Sequence, residues 1–238
     1  MESLMTLSIG DFRAAELSLR LTVALIGMTS LLMLLGITCT EARYRLPLII
    51  SGVALLGAAW FEAGVWMAWR EAFELAGTSY CVTGHLLGGE DRVIAWSLGV
   101  PAILMAFALF KLTFEKAGTK QFRLTAMGVL LLAIVTPFSG VLGFLLFVAV
   151  AFLLGYRITR SNPARKYILT ALASTALGIL LPATLGSLHS LGGGSSGDLI
   201  RGEILRSLID ILSLVVPAVI LLIGALRLPD QEVTAVKG

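Results

Sequence analysis

Among the charged residues within or at the ends of the long apolar segments of this 238-residue chain, three stand out. Asp210 follows the start of segment 204–226, Arg92 precedes segment 93–114, and Glu62 lies towards the end of segment 46–69. A charge at the centre of a bilayer costs about 2.5–3.5 kcal/mol, so each one needs a partner or a role. By depth the three can meet as an arginine with two carboxylates. They could then form an ion pathway, or an ion pair that holds the helices together. Alternatively, Glu62 could lie at the membrane interface.

The apolar segments that must position these residues predict an integral membrane protein. Hydrophobic residues make up 57% of the chain and charged residues 14%, whereas a soluble domain is about half apolar and about a quarter charged. The apolar residues fall in runs of the length that crosses a bilayer as a helix, the conformation that satisfies the backbone within each segment. The predicted runs are 17–38, 46–69, 93–114, 122–138, 140–157, 164–188 and 204–226. The break at 138–140 is short, so six spans are an alternative.

The distribution of lysine and arginine predicts the orientation and supports seven spans. Most of these residues lie in the first, third and fifth connections and in the C-terminal tail. Because cytoplasmic loops are the positive ones, the N-terminus is expected outside and the C-terminus inside, which requires an odd number of spans. The predicted fold is therefore one all-α domain over residues 1–238, a seven-transmembrane-helix bundle.

The connections and the remaining polar residues favour no catalytic chemistry. Segment 78–83 predicts a short hairpin strand, and the glycine-rich segment 191–198 predicts a flexible linker. No spacing of histidine, cysteine and carboxylates is typical of a metal site. There is no phosphate-binding glycine loop and no nucleophilic serine motif. The basic residues form no dense stripe with aromatics, as a nucleic-acid site would. The chain is therefore not expected to be an enzyme.

Several residues of the apolar segments have a characteristic order and spacing. They are Arg92, Trp96 and Pro101 in the third segment, Pro182 in the sixth, Asp210 in the seventh, Tyr44-Arg45-Leu46-Pro47, Ser51-Gly52-Val53 and Trp60 around the second, and 7–12 at the N-terminus. In this pattern the chain resembles the microbial rhodopsins, in particular the proteorhodopsin and xanthorhodopsin branch. The resemblance covers the whole chain and implies the same span number, the same orientation and a former retinal pocket between the helices.

The resemblance also places the family's functional positions on residues that cannot perform its chemistry. The retinal lysine falls on Leu214, the proton-acceptor carboxylate on Ala95 and the proton donor on Ala106. Segment 204–226 contains no lysine at any register, and a Schiff base needs an amine within the membrane. The aromatic residues of the sixth span that enclose retinal in the family fall on Gly178, Leu181 and Leu185, whereas Trp96 falls on the family's pocket tryptophan. The former pocket is thus assigned to Trp96, Ala95, Gly178, Leu181, Pro182, Leu185, Asp210 and Leu214.

The leading hypothesis is a lysine-less rhodopsin homologue without covalent retinal or light-driven proton pumping. It would be a non-enzymatic scaffold, assembly partner or sensor component in a prokaryotic inner membrane. The resemblance implies a homo-oligomer, a trimer or pentamer, or a hetero-oligomer with a true rhodopsin. One alternative is non-covalent binding of retinal, a carotenoid, a lipid or another apolar ligand in the former pocket, unless leucines fill it. The other is passive ion conductance through Arg92, Asp210 and Glu62.

Overall fold

The computed structural model describes residues 6–84, 89–112 and 196–227. The former-pocket positions Gly178, Leu181, Pro182 and Leu185 lie outside these residues, as do the predicted fourth, fifth and sixth spans. The described helices are α1 (Ile9–Cys39), α2 (Ala42–Glu71), α3 (Gly89–Leu112), α4 (Ser196–Asp210) and α5 (Val216–Arg227), with a π-helical turn at Ile211–Val215. The described strands are β1 (Thr6–Ser8), β2 (Phe73–Ala76) and β3 (Ser79–Val82).

Three helices of the described part are long and apolar enough to cross a membrane. They cover Ile9–Cys39, Ala42–Glu71 and Gly197–Arg227. A helix of about 30 residues is roughly 45 Å long at 1.5 Å per residue, more than the roughly 30 Å of hydrocarbon that it must cross. The helices therefore extend beyond the apolar runs that predict them. The membrane-embedded helical fold is confirmed, while the total of seven spans and the orientation stay predictions.

Small residues allow the helices of the described part to pack closely. Gly52 of α2 faces α1, where a Cβ atom on the glycine would lie 2.9 Å from Leu34 Cδ2. At the same contact, the Ser30 hydroxyl donates a hydrogen bond to the Gly52 carbonyl oxygen at 2.7 Å. Glycine and serine at such contacts let two backbones approach in lipid, where dispersion and hydrogen bonds hold helices together.

A small antiparallel sheet covers one end of the helices, which we call the sheet end. Its strand order is β1-β3-β2. The Phe12 ring of α1 stacks on the Tyr80 ring of β3 with centroids 3.8 Å apart, and Trp69 and Phe73 lie beside Phe12. These rings fix the sheet to the start of α1 and the end of α2. Segment 78–83 was correctly predicted to contain a strand. By contrast, α4 begins at Ser196, so the predicted linker 191–198 is wrong in its last three residues.

The π-helical turn joins α4 to α5 in one continuous helix. The Val216 amide donates to the Ile211 carbonyl oxygen, five residues back. Pro217, the next residue, has no amide hydrogen to donate, and a proline inside a helix often accompanies such a local change of winding. The turn holds Leu214 on the buried side of the helix. π-helical turns occur frequently at functional sites, and this turn contains Leu214.

Candidate functional site

Arg92 lies at the centre of a buried ion cluster near the sheet end. Its Nη2 donates a hydrogen bond to Glu203 Oε1 at 2.6 Å. Its Nε lies 3.2 Å from Asp210 Oδ2 and 3.8 Å from Glu62 Oε2. The structure therefore brings the predicted trio of Arg92, Asp210 and Glu62 together, from α3, α4 and α2, and adds a third carboxylate.

Glu203, the third carboxylate, was missed by sequence reasoning. Two helical turns separate it from Asp210, so both side chains lie on the same side of α4. That spacing was the available signal, but Glu203 lies just before the apolar run 204–226 and therefore resembles a surface residue. Its second oxygen is 3.3 Å from Arg206 Nη1, and Arg206 is half-exposed.

Burial distinguishes these carboxylates from an ordinary surface network. The exposed fraction is 0% for Glu62, 1% for Asp210 and 4% for Glu203. Glu62 therefore faces the interior of the bundle, and its placement at the membrane interface, one of the positions left open by the sequence, is wrong. Removing one partner from a buried ion pair costs far more than it does at a surface, because the other charge stays in a poorly solvated place.

Trp96 fixes the orientation of the Asp210 carboxylate. The indole Nε1 donates a hydrogen bond to Asp210 Oδ1 at 2.5 Å. The other oxygen, Oδ2, then faces Arg92. One turn of α3 separates Arg92 from Trp96, so a single helix presents a cation and a neutral donor to the two oxygens of one acid. Trp96 was assigned to the former retinal pocket, and this hydrogen bond is an additional role.

Several atoms of the cluster have charge contacts without hydrogen bonds. Within the described residues, Glu62 Oε1 and Oε2, Arg92 Nε and Asp210 Oδ2 are buried and have no hydrogen-bond partner. Arg92 Nε and Asp210 Oδ2 are close enough for a strong charge interaction, but they lack the alignment of a hydrogen bond. Buried polar atoms nearly always have partners, so these four atoms are the ones whose hydrogen bonding depends most on the protonation of the cluster.

An apolar core containing Leu214 adjoins the cluster. Leu214, Ala95 and Ala106 are each 0% exposed and belong to one packed group of side chains. A Cβ atom on Gly99 of α3 would lie only 2.5 Å from Leu214 Cδ2 and 3.7 Å from Ala58 Cβ. Leu214 thus packs against Gly99 of α3, in the same apolar core as Ala58 of α2. These contacts leave no ionisable group at the three positions that the resemblance assigns to the lysine and the two relay carboxylates.

Within the described residues, no group of three or more histidine, cysteine and carboxylate side chains is arranged to hold a metal ion. The cluster instead places a guanidinium where a cation would have to bind. In the part of the chain that the structure describes, the contacts of the cluster are ion pairs and hydrogen bonds.

Membrane-length helices around a buried arginine and three carboxylates define a helical-bundle membrane protein, and solved structures identify the type of bundle. The chain has a microbial-rhodopsin-like fold. It matches thermophilic rhodopsin with a TM-score of 0.78 and 18% identity, over 93% of this chain and 96% of that one. It matches xanthorhodopsin, a light-driven ion pump with a dual chromophore, with a TM-score of 0.75 and 17% identity, over 94% and 96%.

A blue light-absorbing proteorhodopsin from Med12 matches with a TM-score of 0.56 and 14% identity, over 90% of this chain and 96% of that one. No protein-family model matches the sequence, and no curated protein matches it. At these identities the likeness establishes the fold alone. Any shared chemistry has to be argued from the residues of this chain.

Asp210→Asn tests the contribution of the Asp210 charge. Asparagine keeps a carbonyl oxygen that can accept from Trp96 but removes the negative charge facing Arg92. We expect the free energy of unfolding to fall by about 2 kcal/mol, the contribution typical of a hydrogen-bonded charged group. Unfolding of the purified variant in lipid nanodiscs would measure it. An unchanged melting midpoint would show that Arg92 does not depend on Asp210.

Proposed function

We propose that this chain is a rhodopsin-fold protein without covalent retinal and without light-driven proton pumping, which acts as a non-enzymatic membrane scaffold, assembly partner or sensor component. The observation that carries the proposal is the buried contact of Leu214 with Gly99. By resemblance, position 214 is that of the retinal lysine. A leucine there provides no amine, so no Schiff base can form.

The surroundings of Leu214 support the loss of pumping. A proton relay needs groups that bind and release a proton on both sides of the chromophore. The resemblance places the acceptor and donor on Ala95 and Ala106, and both are buried in apolar packing. The ion cluster lies on the sheet-end side of this core. A continuous polar path through the described helices is therefore not favoured, which argues against passive ion conductance.

The same packing favours a scaffold over a ligand-binding protein. The Leu214 side chain itself occupies the space beside Gly99, so a ligand on that side of the former pocket would have to displace the leucine. Assembly with other copies or with a true rhodopsin would use lipid-facing surfaces. Large apolar side chains are exposed along α1 and α2, among them Met28, Leu35 and Trp60. Native mass spectrometry from lipid nanodiscs would measure the proposed trimer or pentamer.

The purified protein should form no covalent adduct with all-trans retinal. After incubation and borohydride reduction, we expect the intact mass of the protein to be unchanged, because segment 204–226 contains no lysine that could react with the retinal aldehyde. Xanthorhodopsin, regenerated and reduced in parallel, is the positive control. A reduced retinyl group mapped to any residue of this chain would contradict the proposal.

A further inference from the structure

We propose that Glu62 is a buried proton-binding site, at which the protein holds one exchangeable proton taken from water at the sheet end. The bound form is a neutral carboxylic acid, and the proton returns to water when the carboxylate forms. This inference rests on the ion cluster and does not depend on whether the protein binds retinal covalently.

Charge balance in the cluster is the first argument. The charged groups around Glu62 are Asp210, Arg92, Glu203 and Asp91. Arg92 contacts Glu203 and Asp210, and Arg206 provides a second positive charge beside Glu203. Two guanidinium groups thus balance two carboxylates. An ionised Glu62 would add a third negative charge that lacks a cation of its own among the described residues, in a place where unbalanced charge is costly.

Asp91 makes an ionised Glu62 still less favourable. Its side chain lies against Gly64 of α2, two residues after Glu62, since a Cβ atom on Gly64 would be 2.6 Å from Asp91 Oδ2. This carboxylate is only partly buried and can remain hydrated. It therefore contributes a negative potential at Glu62 without supplying a hydrogen-bond donor. The negative charges of Asp91 on α3 and of Asp210 and Glu203 on α4 thus favour the neutral form of Glu62.

Hydrogen bonding is the second and independent argument. Glu62 is fully buried, and neither of its oxygens has a hydrogen-bond partner within the described residues. A carboxylate can only accept hydrogen bonds, whereas a carboxylic acid also donates one. The nearby Asp210 Oδ2 lacks a donor, and Arg92 Nε lacks an acceptor. As a carboxylic acid, Glu62 has a hydroxyl that can donate to an acceptor such as Asp210 Oδ2, whereas as a carboxylate it has no donor.

The surroundings provide a route for the proton and a consequence of its binding. Arg92 is partly exposed and Arg206 is half-exposed, so polar groups connect the cluster with the sheet end. When Glu62 is neutral, Arg92 is available to Glu203 and Asp210 on α4. When Glu62 is ionised, it competes for Arg92 from α2. Proton binding would therefore change how strongly α3 is held to α4 relative to α2.

Infrared spectroscopy of the full-length protein in lipid tests the proposal. At neutral pH we expect a C=O stretching band of a protonated carboxylic acid that shifts in heavy water. The band should shift with ¹³C-labelled glutamate and not with labelled aspartate, which tests the native chain without any substitution. It should be absent from Glu62→Gln and present in Glu74→Gln, a matched change on an exposed strand residue. Absence of a glutamate-derived band from the native protein, or its persistence in folded Glu62→Gln, would overturn the proposal.

Thermal unfolding provides a second measurement. Glutamine resembles the neutral acid in shape, so Glu62→Gln should melt close to the native protein at neutral pH, whereas Asp210→Asn should melt lower. An equal loss in both variants would show that Glu62 is ionised. Sodium chloride replaced by choline chloride at constant ionic strength should leave the melting midpoint unchanged. A sodium-dependent rise that Glu62→Gln abolishes would identify a bound cation instead of a proton.

Discussion

Leu214→Lys is expected to change a protein that forms no retinal adduct into one that binds one retinal per chain covalently. Leu214 lies in the π-helical turn and packs against Gly99, within the apolar core of the bundle. An amine held in such a core, out of water, is the kind of nucleophile that forms a Schiff base with an aldehyde. Asp210, one turn earlier in the same helix, would provide the nearby carboxylate. A new visible absorption band and a borohydride-stable mass increase mapped to position 214 would measure the gain.

Leu221→Lys is the matched control for this experiment. Leu221 is also buried, at 1% exposed, and lies two turns further along the same helix. If covalent binding depends on the geometry at position 214 and not merely on a buried amine, the control should remain colourless. A correctly folded Leu214→Lys protein that gains no pigment would contradict the assignment of position 214 to the retinal lysine. Pigment in both variants would show that covalent retinal binding is not specific to position 214.

The membrane helices could be predicted because the bilayer imposes both their length and their internal hydrogen bonding. The ends of the helices could not be predicted in the same way. From Ser196 to Glu203, α4 is rich in polar and charged residues, so no apolar run marks its first two turns. These turns form because they pack on α1 and provide Glu203 to Arg92. Similarly, strand β1 depends on pairing with β3, a residue-to-residue contact across more than seventy positions that no local pattern encodes.

The sequence predicts the depth of each site residue in the membrane, but not the direction in which its side chain points around the helix axis. Counting residues from the end of a span places Arg92, Asp210 and Glu62 at one depth. Depth does not determine the rotation of α2, and rotation decides whether Glu62 faces the cluster or the interface. Packing of Ser51, Gly52 and Leu55 into the bundle fixes that rotation. The Trp96–Asp210 hydrogen bond escaped prediction for the same reason, because it depends on the relative rotation of α3 and α4.

Arg92→Gln is expected to cause the largest loss of stability of any single substitution in the cluster. It leaves Glu203 and Asp210, which are nearly inaccessible to solvent, without the guanidinium that contacts both. Breaking a buried ion pair by removing one partner typically costs about 3–5 kcal/mol. Unfolding in lipid nanodiscs would measure the loss. Arg206→Gln is the matched control, because half-exposed Arg206 also contacts Glu203, at 3.3 Å, yet a surface pair contributes only about 0–1 kcal/mol.

The double variant Arg92→Gln/Asp210→Asn separates charge pairing from packing. If the loss in Arg92→Gln arises from unbalanced carboxylates, neutralising Asp210 in the same protein should restore part of the stability, although each single change is destabilising. Residues that share one network show such non-additivity, typically about 0.5–3 kcal/mol. If the loss arises only from the missing side-chain volume of arginine, the two effects should add. Strict additivity, or an Arg92→Gln effect as small as that of Arg206→Gln, would show that Arg92 is not the charge on which the buried carboxylates depend.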